Sequence, residues 1–178
     1  MRLFGLSLAF AISLAVAPAF GGEKDFHPGQ VITDYGKIAT VEGAKPIPAS
    51  ARFKVRFDTV NKAGQNSINK TFESAARFLN MHHEAGVSLN KIDLAIVIHG
   101  SAVHDVKKEE RFGKTSINTN AALIEKLRKN GVKFYVCGQS AAYHDVFEDD
   151  LLPGVELALS AMTAHALLDA DGYSLNPF

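Results

Sequence analysis

The chain has 178 residues, 47% hydrophobic and 21% charged, with 19 Lys and Arg balanced by 19 Asp and Glu. That balance excludes capture of nucleic acid or an anionic membrane by bulk charge, and the length suits one domain with its own core. A single cysteine, Cys137, excludes any disulfide within the chain.

Met1 and Arg2 form a short basic start, residues 3–16 are almost wholly apolar, and Ala17-Pro18-Ala19 has the small-x-small form of a signal-peptidase site. A leader covering residues 1–19 is the expectation. The alternative is an uncleaved anchor, since the apolar run is only a little shorter than the ~20 residues of a spanning helix. Cleavage would take 19 of 178 residues, leaving 159, and would remove Arg2, so that 18 basic side chains face 19 acidic ones. Export places the protein in the periplasm or outside the cell, with no membrane contact after cleavage. There a lone thiol is free, joined to another chain, or carrying a small adduct.

Residues 20–50 are rich in Gly and Pro and lack a sustained periodicity, which marks an extended arm. Val31, Ile32, Tyr35, Ile38 and Val41 are too many apolar residues for a solvated tail, so the arm should pack on its own domain or on a neighbouring subunit. The domain proper is expected over 51–178. Its first strand is the alternating segment 52–58, with Phe53, Val55 and Phe57 facing the core. Asn66 or Ser67 can cap a helix to about Ala85, stopped by Gly86. His82 and His83 are adjacent, hence ~100° apart on that helix, and suit packing or capping better than sharing one ion. The glycosylation tripeptide Asn69-Lys70-Thr71 falls inside the same predicted helix and reads as coincidence.

The run 92–98 is apolar except at Asp93, as in a strand buried on both sheet faces, and ends in His99-Gly100. Residues 101–115 read as a polar, solvated loop. Asn118 or Thr119 can begin a helix with Leu123, Ile124 and Leu127 inward and Gly131 as its stop. Val132, Phe134 and Val136 then alternate with Lys133, Tyr135 and Cys137 in a strand that delivers the cysteine to its last position. Gly138 lets the chain turn there, and residues 139–144 can start a helix. The sulfur would then lie beside unpaired N–H groups, which favour the thiolate. Val155, Leu157 and Leu159 suggest a fourth strand. Ser160 can cap a last helix, apolar almost all round, that needs cover from the sheet and from either the arm or another subunit. Alternating strands and helices in this order predict an α/β fold, a three-layer α/β/α sandwich with a mostly parallel sheet. Ligands collect at the carboxyl ends of such strands, where His99 and Cys137 both fall.

Cys137-Gly138-Gln139-Ser140, the turn Asp150-Leu151-Leu152-Pro153-Gly154-Val155 and the closing Gly172-Tyr173 resemble the DsrE/DsrF-like family, in particular an exported branch with an arm like Asp34-Tyr35-Gly36. The resemblance spans about 34–178. It implies the YchN-like fold, a homo-oligomer such as a trimer or hexamer, and a role in sulfur metabolism. In sulfur-relay members a cysteine after the third strand accepts sulfane sulfur as a persulfide, and Cys137 matches that position. Ala141-Ala142 resembles the small pair that follows it, whereas Tyr143, His144 and Asp145 stand where relay members tend to carry arginines.

Two functions follow. The first is a sulfur carrier using Cys137, served by a donor or acceptor protein or a small sulfur compound, with His99 or His144 adjusting protonation. The second is a non-catalytic oligomeric module that holds a small ligand in a rim of His99, Gly100, Gly138, Gln139, Ser140, Tyr143 and His144, with Cys137 structural. No cofactor is expected. His99, His104, Asp105, Cys137 and His144 include metal-ligand types, but no HxxxH or CxxC spacing organises them and no metal is expected.

Overall fold

The computed structural model describes residues 22–108 and 117–177; the leader assigned to 1–19, part of the loop after His99 and the last residue lie outside them. The strands are β1 (Phe53–Thr59), β2 (Ile92–Ile98), β3 (Lys133–Cys137), β4 (Val155–Ala158) and β5 (Ser174–Leu175). They form one five-stranded sheet in the order β4-β3-β2-β1-β5, and every pairing is parallel. The helices are α1 (Lys70–Glu84), α2 (Ala121–Lys129), α3 (Gly138–Tyr143) and α4 (Ala161–Ala170).

The pleat divides the side chains between two unequal layers. Phe57, Ile96, Ile98, Phe134 and Val136 pack against Phe72, Leu79, Leu123 and Leu127 of α1 and α2, forming the larger core. Ala95 and Val97 of β2 face the other way, onto Ala164, Leu168 and Tyr173. The apolar run 94–98 of β2 is thus needed because it is covered on both sides.

The layer carrying α4 is held differently. Of its ten residues only Ala164 and Leu168 are buried. Ala161 packs beside them, and the rest of the attachment is polar: alternate residues of β1 point at this layer, Lys54 meeting Asp171 at 3.1 Å, Arg56 meeting Asp169 at 3.0 Å and Asp58 meeting His165 at 2.8 Å. Met162 and Leu167 stay exposed at 79% and 67%.

The arm lies on the opposite layer, against α1 of its own chain. Ile32 and Ile38 are buried, and Val31 and Tyr35 pack against the main core, while Val41 is exposed. Asn80 of α1 replaces the secondary structure that the arm lacks: its side chain accepts from the N–H groups of Val31 and Ile32 and donates to the carbonyls of Ile32, Tyr35 and Gly36. Gly36 adopts φ +63°, and a Cβ there would come within 2.3 Å of the Arg77 backbone nitrogen.

Several expectations are corrected. Helix α1 starts at Lys70, not at 67 or 68, because Asn69 is its cap and accepts from the Thr71 N–H at 3.0 Å. The glycosylation tripeptide therefore begins at a buried cap rather than in mid-helix, and Asn69 is committed to hydrogen bonds with Thr59 and Asp105. The segment after His99 is not a solvated loop in its first part: residues Gly100–Val106 form a 3-10 helix that buries Ala102, Val103, Asp105 and Val106. The fourth strand ends at Ala158, short of Leu159, and only its Val155 is buried; Leu157, at the sheet edge, and Leu159, in the loop beyond, are exposed at 43% and 73%. His82 behaves as a packing residue, stacked on Phe78 at 3.8 Å and edge-on to Phe53 at 4.5 Å.

Candidate functional site

Strand β3 ends at Cys137, and the next residue is already helical, so the cysteine is the cap of α3. Its Sγ accepts from the Ser140 N–H at 3.4 Å. Gly138 does not serve as a turn residue in the left-handed region. It is needed for close approach: a Cβ at this position would lie 2.7 Å from the Ala158 carbonyl oxygen and 3.1 Å from that of Leu159. The loop from β4 into α4 therefore lies against the start of α3, and the sulfur receives N–H groups from both helices.

Burial pushes the Cys137 thiol up, but the Ser140 hydroxyl and the N–H groups of Ser140, Ala161 and Gln139 donate to it and outweigh that effect, so it titrates below its ordinary value. The Ser140 hydroxyl is aimed in turn. Its oxygen accepts the Gly100 N–H at 3.0 Å, which leaves the hydroxyl proton for the sulfur. Cys137 itself is only 6% exposed.

His99 follows the last residue of β2, beside Cys137 in the register that pairs Ile98 with Val136. Alternation puts His99, Cys137 and Asp58 of β1 on the same sheet face, the one that α4 covers. His99 Nε2 lies 3.1 Å from Asp58 Oδ2, and His165 Nε2 of α4 lies 2.8 Å from Asp58 Oδ1. A carboxylate can only accept, so both imidazoles carry hydrogen on Nε2.

The structure thus gathers His99, Gly100, Gly138, Gln139 and Ser140 around Cys137; the Gln139 side chain reaches the Leu159 carbonyl at 3.4 Å. Tyr143 and His144 do not join them. Helix α3 ends at Tyr143, whose side chain is 83% exposed, and His144 packs edge-on against His104 at 4.9 Å. Sequence reasoning missed Asp58 and His165; only the alternation of β1 placed Asp58 on a face, and nothing local marks His165. Among the described residues no group of three or more His, Cys, Asp or Glu could hold a metal ion, and no helix is long and apolar enough to cross a membrane.

The site is thus a parallel α/β domain with an amide-lined cysteine at a strand end. The chain belongs to the DsrE/DsrF-like family, whose sequence model matches residues 54–177. No curated protein matches it significantly. Among solved structures, the ychN protein from E. coli is 15% identical with a TM-score of 0.51, over 69% of this chain and 96% of that one. Protein MTH1491 from Methanobacterium thermoautotrophicum, described as of unknown function, is 17% identical with a TM-score of 0.49, over 70% of this chain and 97% of that one. The ychN likeness speaks to the fold alone.

Proposed function

We propose that this chain is an exported, periplasmic sulfur carrier in which Cys137 accepts sulfane sulfur as a persulfide. The observation that carries the reading is the set of donors on Sγ, from Ser140, Gln139 and Ala161, which holds the thiol below its ordinary titration range despite burial. Thiolate is the attacking form. With thiosulfate, the Cys137 thiolate attacks the outer sulfur, a sulfur–sulfur bond forms, and the bond to the sulfonate sulfur breaks with its electron pair leaving as sulfite. With a persulfide donor, the departing group is the donor thiolate. The same N–H groups then face the negative charge of the Cys137 persulfide.

Export rests on residues 1–19. The working unit is proposed to be a homo-oligomer, a trimer or hexamer, assembled through the exposed apolar residues Leu157, Leu159, Met162 and Leu167. The arm cannot cover that face, being committed to α1 on the other side of the sheet.

The test is mass spectrometry of the purified protein after incubation with thiosulfate or polysulfide. Gain of one sulfur mass on Cys137, absent in Cys137→Ser, supports the carrier. No gain, or equal gain by the variant, overturns it. The 6% exposure of Cys137 favours a second reading, a small-ligand module with a structural thiol. A thiol inert to a disulfide reagent in the folded protein would select that reading.

A further inference from the structure

We propose that Asp58 is the positioning residue for the Cys137 sulfur: one carboxylate, on a different strand, sets both structures that supply the sulfur with hydrogen-bond donors. The first is the corner after β2. Asp58 Oδ2 holds His99 at 3.1 Å, and the N–H of the adjacent Gly100 aims the Ser140 hydroxyl oxygen at 3.0 Å. A shift of that corner turns the hydroxyl away from Sγ, although nothing in contact with the sulfur has changed.

The second is the first turn of α4. Ala161 and His165 are four residues apart, hence on one face of the helix. Asp58 Oδ1 holds His165 at 2.8 Å, and Ala161 presents its N–H to the sulfur. Nδ1 of His165 is buried without a partner, so the bond to Asp58 is its only polar anchor among the described residues. Apolar packing of that turn is confined to small side chains, Ala161 and Ala164 against the smaller core, so it fixes the orientation of the turn weakly. The remaining polar ties, Arg56 to Asp169 and Lys54 to Asp171, lie toward the far end of the helix.

The two arms meet in one side chain. Removing it takes one tie from the His99 corner and one from the α4 turn together, which neither single imidazole substitution does; the corner keeps the His99 N–H bond to the Thr59 carbonyl at 2.9 Å, so the expected displacement is small. The inference deepens the carrier reading, on which its biological use rests, but its test requires no sulfur donor.

The readout is the ultraviolet absorbance of the thiolate as a function of pH, with Cys137→Ser as the blank. Asp58→Ala is expected to raise the titration midpoint of Cys137 by about half a pH unit, roughly a threefold loss of thiolate near neutrality. Asp58→Asn retains one acceptor oxygen and so should fall between wild type and Asp58→Ala; His165→Gln and His99→Gln should each produce a part of the shift. A midpoint unchanged in Asp58→Ala, with only the melting temperature lowered, overturns the proposal. If Asp58→Ala does not fold, Asp58→Asn and His165→Gln decide in the same titration: both unshifted overturns it, either shifted upward sustains it. Failure of sulfur uptake by the wild type removes the carrier reading and leaves this result standing.

Discussion

Ser140 accepts the Gly100 N–H on its hydroxyl oxygen at 3.0 Å, and that one bond decides which way its proton points. Two strand-end loops, after β2 and after β3, are thereby joined at the sulfur.

Ser140→Ala removes the hydroxyl donor and leaves the Ser140-position N–H in place. The thiol midpoint should rise by about one unit, an approximately tenfold loss of thiolate below the midpoint. Thiolate absorbance against pH measures it, and an unshifted midpoint rules out the hydroxyl as a donor to sulfur.

Gly138→Ala places a methyl 2.7 Å from the Ala158 carbonyl oxygen, a backbone atom that cannot swing aside. A cost of about 2 kcal/mol is expected from the forced separation of α3 and the loop into α4. Chemical denaturation should report it, together with a raised thiol midpoint as the Ala161 N–H withdraws.

Asn80→Ala removes five hydrogen bonds to the arm backbone at a site 1% exposed. The stranded N–H and carbonyl groups should cost about 3 kcal/mol unless the arm detaches. Limited proteolysis should then cut within 22–50 while the domain stays intact; a resistant arm in the variant would show that apolar contacts suffice.

His82 is held below its ordinary value chiefly by burial, with a smaller opposing effect from the Phe78 carbonyl. Its neutral form is favoured in the fold, so the unfolded state binds more protons wherever the two values differ. Stability should fall as pH drops through 6.5, the unfolded value, toward the lower folded value, and level off beneath it. His82→Leu should flatten that limb in denaturation midpoints measured across the range. A limb of unchanged steepness assigns the acid sensitivity elsewhere.

Met162→Lys combined with Leu167→Lys places two charges on the exposed face of α4, where side chains are 79% and 67% exposed in the single chain. If copies of the chain cover that face, light scattering should register a fall in mass to the monomer with little loss of domain stability. An unaltered mass would exclude this face as the interface.

Much of the architecture was legible because periodicity and burial coincide in it. The apolar run of β2 and the alternation of β3 reflect one strand covered on both faces and another delivering Cys137 at its end. The site was only half legible. His99 and Cys137 could be placed because each ends a strand, whereas Asp58 and His165 are 107 residues apart and meet only through the packing of α4 on β1. Gly138 was visible as a glycine, but not its reason, because the Ala158 carbonyl that approaches it belongs to a neighbouring strand. His144 follows directly on the six-residue α3 and packs against His104, a contact that its spacing from Cys137 does not reveal.

The rungs from Lys54, Arg56 and Asp58 to Asp171, Asp169 and His165 give the layer above the cysteine a different character from the oily layer beneath it. Ionic contacts that solvent reaches weaken as counterions accumulate, Lys54 to Asp171 more than the rung from the buried Arg56, while burial of hydrocarbon does not. Brine should therefore slacken one side of this molecule and spare the other, so that the reactivity of a sulfur touching no ion comes to depend on ionic strength.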